Sequence, residues 1–462
     1  MSHFERLALE SADLGYENEA PFANGEETHT VANEIAEVQG LQFEAADEDA
    51  AAEQLDDEAG QTEELAEAVE EEVAQERALD PTAAKLLKIA FKNIVGKNYA
   101  SKTLPATESF TGSRADAREG TRIALEGIKE TLKAFWEAIK KQFQKAYDAV
   151  KSWLVKTFSA AKKLKERAEK LQSKANDTVG TIEDKSFSFA GTKAIAVDGK
   201  FNEAGALTSG LSKVKDLVKS TISELKKGKV DDEVEKVVKN VEGSFTGSGN
   251  TRSVSAAALA DAMKDVAAAA AAGSSVPSSV GDVKKFTEQY GDASEITVSA
   301  NVGLPGGRAV IAVQPKTIAS QDIEGVTKVL KSSRIILGND KFTPREVSEG
   351  DVKTLTTSQI DKVCDDVIEI AETIYTHEQQ WKNRDNMLNK IVKETDQMVK
   401  DFNSEDDAKD NEQRYFRNYV QAQVGFLRRA VNFEANVCSY GLTTGNAFLN
   451  YAERSLAQHK AK

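Results

Sequence analysis

The chain has 462 residues with 75 Asp and Glu, 60 Lys and Arg and a formal net charge of −15, a length that accommodates about three domains at roughly 150 residues each. Two cysteines, Cys364 and Cys438, exclude a disulfide framework and favour synthesis in a reducing compartment. No run reaches the ~18 apolar residues of a spanning helix, and "MSHFERLALESADLG" lacks the basic segment and apolar core of a secretory signal, so the chain reads as soluble.

Charge is sorted along the sequence. Residues 1–80 carry 25 acids against Arg6 and Arg77, whereas residues 81–180 carry 21 Lys and Arg against 10 acids. A −23 leader therefore precedes a +8 body, an arrangement in which an acidic arm can mask a polyanion-binding surface. The leader is Ala- and Glu-rich with few aromatics, too little apolar surface to offset the entropy of ordering, and reads as disordered or loosely helical.

After Pro81, "TAAKLLKIAFKNIVGKNYA" predicts a short amphipathic helix, and "SKTLPATESFTGSRADAREG" a polar connector. Residues 121–176 hold the clearest element. Ile128, Leu132, Phe135, Ile139, Phe143, Ala146, Val150, Trp153 or Leu154, Phe158, Ala161, Leu164, Ala168 and Leu171 recur at steps of three and four, one face of a helix with lysines on its flanks.

From 186 to 350 the texture changes to α+β. "FSFAGTKAIAVDGKF" predicts a hairpin or short strands around Asp198-Gly199, followed by helices near 204–227, 231–241 and 256–272. "EITVSANV", "LPGG" and "RAVIAV" make an antiparallel hairpin, and "SRIILGN" a further strand. From Thr357 onward the pattern is helical: one long or kinked helix, a second over 407–438 and a third from Gly445 to His459, with Gly441 and Gly445 bracketing a loop. No fixed-period repeat is read.

Motifs for chemistry are missing. "HEQQW" starts like a zinc-protease helix, yet Trp381 stands where a second His ligand is required, and His377 reads as a solvated helix residue. "GSFTGSGNT" and "VGLPGGR" are glycine-rich but lack the Gly-Lys-Ser/Thr of a phosphate loop. Cys364 and Cys438 read as buried thiols, and acid pairs such as Asp365-Asp366 and Asp406-Asp407 as solvated faces. No catalytic residue, metal ligand or cofactor is assigned, and the chain reads as no enzyme. The lysines flanking Trp136, Phe143, Tyr147, Trp153 and Phe158 suit a protein core, a lipid headgroup layer or nucleic acid phosphates.

The tract "EGIKETLKAFWEAIKKQFQKAYDAVKSWLVKTFSAAKKLKERAEKLQSKA", behind an acidic leader and ahead of a mixed α/β body with a helical C-terminus, resembles the internal head proteins of phiKZ-like giant bacteriophages, most closely over residues 120–176. That resemblance implies a protein made in the host cytoplasm, packed into the prohead with other core proteins, cut by a prohead protease and retained with double-stranded DNA inside the capsid. The family's cleavage rule, a small residue, any residue, then Glu, fits Ala8-Leu9-Glu10, Ala32-Asn33-Glu34, Ala74-Gln75-Glu76 and Ala106-Thr107-Glu108. Glu76 and Glu108 stand out because they lie where acidic leader gives way to basic body.

The expected fold is mainly α with an α+β middle segment, long amphipathic helices, one or more antiparallel hairpins and a disordered acidic N-terminal leader. Its divisions are a leader or propeptide over 1–108, a lysine-rich helical segment over 109–185, the α+β segment over 186–350 and a helical segment over 351–462. Lys140, Lys141, Lys145, Lys162 and Lys163 are the candidate non-specific DNA contacts. A peripheral membrane protein or ejected effector acting through helix 121–176 is the alternative.

Overall fold

Helices dominate because long stretches combine strong helix formers with an apolar stripe. The computed structural model describes residues 26–95, 104, 107–178, 180–197, 199–226, 296–315, 327, 330–339, 350–378 and 410–460. The chain divides into two compact units, one of residues 1–43 and 150–462, the other of residues 44–149. In chain order the elements are α1 (Glu26–Ala74), α2 (Pro81–Val95), a 3₁₀ turn (Thr107–Phe110), α3 (Arg114–Asn176), β1 (Ser186–Phe189), α4 (Thr192–Ile195), α5 (Ala204–Lys226), β2 (Ile296–Leu304), β3 (Arg308–Pro315), β4 (Arg334–Asn339), β5 (Gly350–Lys353), α6 (Thr357–Thr376) and α7 (Asp410–Leu456).

The leader, read as disordered or loosely helical, forms the single helix α1 over residues 26–74. Its stretch carries 18 acids and no Lys or Arg, so like charges would weaken it in isolation, and its order must come from packing. The packing signal is a heptad: Val31, Val38, Ala45, Ala52, Ala59, Ala66 and Val73 recur every seventh residue, and the first six are buried. A 3.5-residue period of small side chains allows a neighbouring helix to approach closely. This repeat is the one that a reading by aromatic content and apolar fraction overlooks.

In the unit of residues 44–149, Ala59, Ala66 and Val69 of α1 share one core with Leu87, Phe91 and Val95 of α2 and Ala124, Ile128, Leu132 and Phe135 of α3. The turns are locally specified. At the end of α1, Arg77 N–H donates to Glu72 O (2.8 Å) and Glu76 N–H to Val73 O (3.0 Å), a Schellman closure with Glu76 at the left-handed position, φ 51°. Asp80 then caps α2, its Oδ1 accepting from Thr82 and Ala83 N–H at 2.7 and 2.8 Å, with Pro81 at the first helical position. Ser113 and Asp116 cap α3 reciprocally, Ser113 N–H donating to Asp116 Oδ2 at 2.9 Å and Asp116 N–H to Ser113 Oγ at 3.2 Å. These bonds from Ser113 hold the exposed Asp116 carboxyl below its usual value.

In the other unit, α5, α6 and α7 pack on one another. The C-terminal stretch of α3 joins them through Arg167, which reaches Glu453 (2.6 Å), Asn450 (2.7 Å) and Asn446 of α7. Gln172 donates to Asp361 and Asp365 of α6 at 2.8 and 2.7 Å. α6 starts at a capping box, Gln359 N–H to Thr356 Oγ1 and Thr356 N–H to Gln359 Oε1 at 3.0 Å. The loop expected around Gly441 and Gly445 is instead the interior of α7. Both glycines are contact points: a Cβ on Gly441 would lie 2.8 Å from Val218 Cγ2, and one on Gly445 3.3 Å from Leu164 Cδ2.

The expected hairpin is present as β2 and β3, with Val298 opposite Val313, and β4 adds the third strand of a sheet ordered β2-β3-β4. β3 is central, and Ala309 to Val313 are all buried. "FSFAGTKAIAVDGKF" folds differently from a simple hairpin: its strand β1 pairs antiparallel with β5, Ser186 opposite Lys353, while Val197 and Lys200 form an isolated bridge across the Gly199 turn. The expected helices at 231–241 and 256–272, and residues 379–409 of the long C-terminal helix, lie outside the described residues.

Candidate polyanion interface and processing sites

The lysine-bearing helix predicted over 121–176 exists as α3, and its apolar face is covered. Phe135, Ala146, Tyr147, Val150, Trp153, Leu154, Phe158, Ala161, Leu164, Ala168 and Leu171 are buried, Trp153 to 1% exposure. Trp136 and Phe143 have side chains outside the described residues. Among the described residues, the aromatics of α3, Phe135, Tyr147, Trp153 and Phe158, are all covered.

The candidate DNA contacts fall into two groups. Lys141 and Lys145 belong to the unit of residues 44–149 and are exposed; Lys162 and Lys163 belong to the other unit, Lys162 exposed and Lys163 half-buried. The side chain of Lys140 lies outside the described residues. Within the larger unit, Lys163 pairs with Glu34 of α1, and Lys156 lies 2.9 Å from Glu37. The Glu37 carboxylate raises the pKa of the exposed Lys156. In the smaller unit, Lys129 lies 2.8 Å from Glu70. Leader carboxylates thus sit on lysines of α3 in each unit, and Lys129 and Lys156 join the set that sequence reasoning had not singled out. The signal was available, since Glu34, Glu37 and Glu70 flank the leader heptad.

The two processing candidates differ in setting. Glu76 occupies the turn between α1 and α2, its side chain 81% exposed and 3.5 Å from Arg118. Glu108 lies in the 3₁₀ turn Thr107–Phe110, next to exposed Ser109 and two residues before buried Phe110; its own side chain is outside the described residues. Glu34, by contrast, is inside α1 and paired with Lys163. Helical backbone is a poor protease substrate, so among the described candidates the two turn positions differ from Glu34; Glu10 lies outside the described residues.

A family described as phiKZ-like phage internal head proteins matches residues 33–454. The chain belongs to that family. Membership makes it a structural protein of the phage head interior, in agreement with the resemblance read over residues 120–176. Most of α1 lies inside the matched span. No curated protein and no solved structure matches this internal head protein.

Several of its polar groups are placed otherwise than the sequence suggests. His377 is buried at the C-terminal cap of α6 and bonded to buried Glu434 of α7, where a solvated residue was expected. Asp366 is buried as well, accepting from Lys215 Nζ at 2.6 Å and Ser212 Oγ at 2.7 Å; Asp406 and Asp407 lie outside the described residues. Cys364 and Cys438 are buried thiols, as their helical setting predicts. Burial, with Asp361 and Asp365 adding to it, pushes the Cys364 thiol up to about 12, and burial raises Cys438 well above its ordinary value. Neither is poised as a thiolate. Among the described residues no group of three or more His, Cys, Asp or Glu side chains could hold a metal ion, and no helix there is long and apolar enough to cross a membrane.

Proposed function

We propose that this internal head protein is a non-enzymatic core component, made in the host cytoplasm, whose acidic leader is cut by the head's processing protease after Glu76 or Glu108 and whose α3 lysines then lie against packaged double-stranded DNA beside other core proteins. The observation that carries this reading is the set of leader carboxylates on α3: Glu34 on Lys163, Glu37 on Lys156 and Glu70 on Lys129. Removing residues 1–108 deletes 26 acids and 7 bases and leaves a chain of +4. A chain of −15 would be repelled by the phosphates of packed DNA. The lysines supply phosphate contact without base readout, so binding is indifferent to sequence.

The full-length triple variant Glu34→Gln, Glu37→Gln, Glu70→Gln tests masking without cutting. Its affinity for a random-sequence duplex at about 100 mM salt should rise severalfold, with a salt slope steeper by about one per lysine recruited. Affinity equal to wild type would defeat masking. Processing is read separately, as the protein's N-terminus in purified particles, where Arg77 or Ser109 is expected and Met1 or Ser2 would refute the cut.

A further inference from the structure

α2 shows the solvent a face that the head-interior role does not use. Ala84, Leu87, Phe91 and Val95 turn into the core of their unit, while Leu86 and Ile89 remain 62% and 49% exposed. Lys85, Lys88 and Lys92 are exposed on the same helix. At 3.6 residues per turn these lysines span an arc of about 60°, with Ile89 and then Leu86 beyond one edge of it. Sequence sharpens the polarity: from Pro81 to Thr107 there are five lysines and no acid.

We propose that this face of α2 is a contact surface for an anionic lipid bilayer. A row of ammonium groups beside two bare aliphatic side chains matches a headgroup layer over acyl chains, where both halves find a partner. Against DNA only the lysines would be used, and Leu86 and Ile89 would stay in water. This surface does not rest on DNA contact by α3; because α2 lies before Glu108, it belongs to the uncut chain or to one cut after Glu76. It places a membrane contact on a helix whose apolar residues Leu86 and Ile89 are in the open.

Sedimentation of the full chain with vesicles of phosphatidylglycerol and phosphatidylcholine tests it, with phosphatidylcholine alone as reference. Binding should require phosphatidylglycerol and weaken with salt. The double variant Leu86→Glu, Ile89→Glu should lower the partition by about tenfold or more, since both positions are exposed and the fold does not depend on them. Lys85→Gln, Lys88→Gln, Lys92→Gln together should remove most of the salt dependence. Val155→Glu, at a residue 57% exposed on α3, should leave binding unchanged. Absence of vesicle binding, or equal loss with Val155→Glu, would overturn the proposal. Loss of self-association in the Leu86/Ile89 variant without any lipid binding would assign the face to a second copy, and loss of duplex affinity in the lysine variant without lipid binding would assign it to DNA; either outcome overturns it.

Discussion

Single glycines show how strongly the environment of one residue decides its role. Gly441 sits inside α7, where alanine would gain roughly 1 kcal/mol of helix propensity, yet its Cβ would meet Val218 at 2.8 Å and Ile370 at 3.2 Å. Overpacking of that kind costs about 1–3 kcal/mol, so Gly441→Ala should destabilise the protein in urea unfolding. Gly40 is the counterpart, helical in α1, where an added Cβ would meet nothing within 4 Å. Gly40→Ala should stabilise by about 0.5–1 kcal/mol. Opposite signs for one chemical change would show that the α7 glycines exist for close helix approach; equal signs would show that they do not.

At the scale of elements, α1 decides what the leader is. A disordered arm would tolerate any substitution, but Ile35 is buried on α1 beside the pairs Glu34–Lys163 and Glu37–Lys156. The exposed pair Glu37–Lys156 adds little, since surface ion pairs are worth about 0–1 kcal/mol. The buried side chains carry the helix. Ile35→Ala should therefore cost about 2–4 kcal/mol of unfolding free energy, and an effect below about 0.5 kcal/mol would return the leader to the disordered class. The lysine helix α3 needs α1 for the same reason: part of its buried stripe packs in the core that Ala59, Ala66 and Val69 help to form.

For the whole molecule, a packed leader changes what a cut would do. Cleavage after Glu76 breaks the chain in an exposed turn, yet leaves Ala59, Ala66 and Val69 in one core with α2 and α3. The charge switch from −15 to +8 that loss of residues 1–76 would bring needs the leader helix to leave as well as the bond to break. Nicked protein at about 50 mM salt should keep its leader fragment through gel filtration and lose it in denaturant. Spontaneous separation of the fragment in dilute buffer would show that the heptad holds less than its burial suggests.

Much of this was legible in the chain because it is written in local periodicity. The stripe of α3 from Ile128 to Leu171, the β2–β3 hairpin around "LPGG", the buried cysteines and the lysine-rich tract that resembles its family all follow from spacing and residue type, which survive in any environment. What lay opposite each residue did not. The order of α1, the continuity of α7 through Gly441 and Gly445, the burial of Asp366 against Lys215 and Ser212 and of His377 against Glu434, and the covering of Trp153 each depend on a partner remote in sequence. An acidic, Ala-rich segment is unstable alone and ordered against a lysine-bearing apolar helix; that helix is legible in the sequence, but only the tertiary structure places it against the leader.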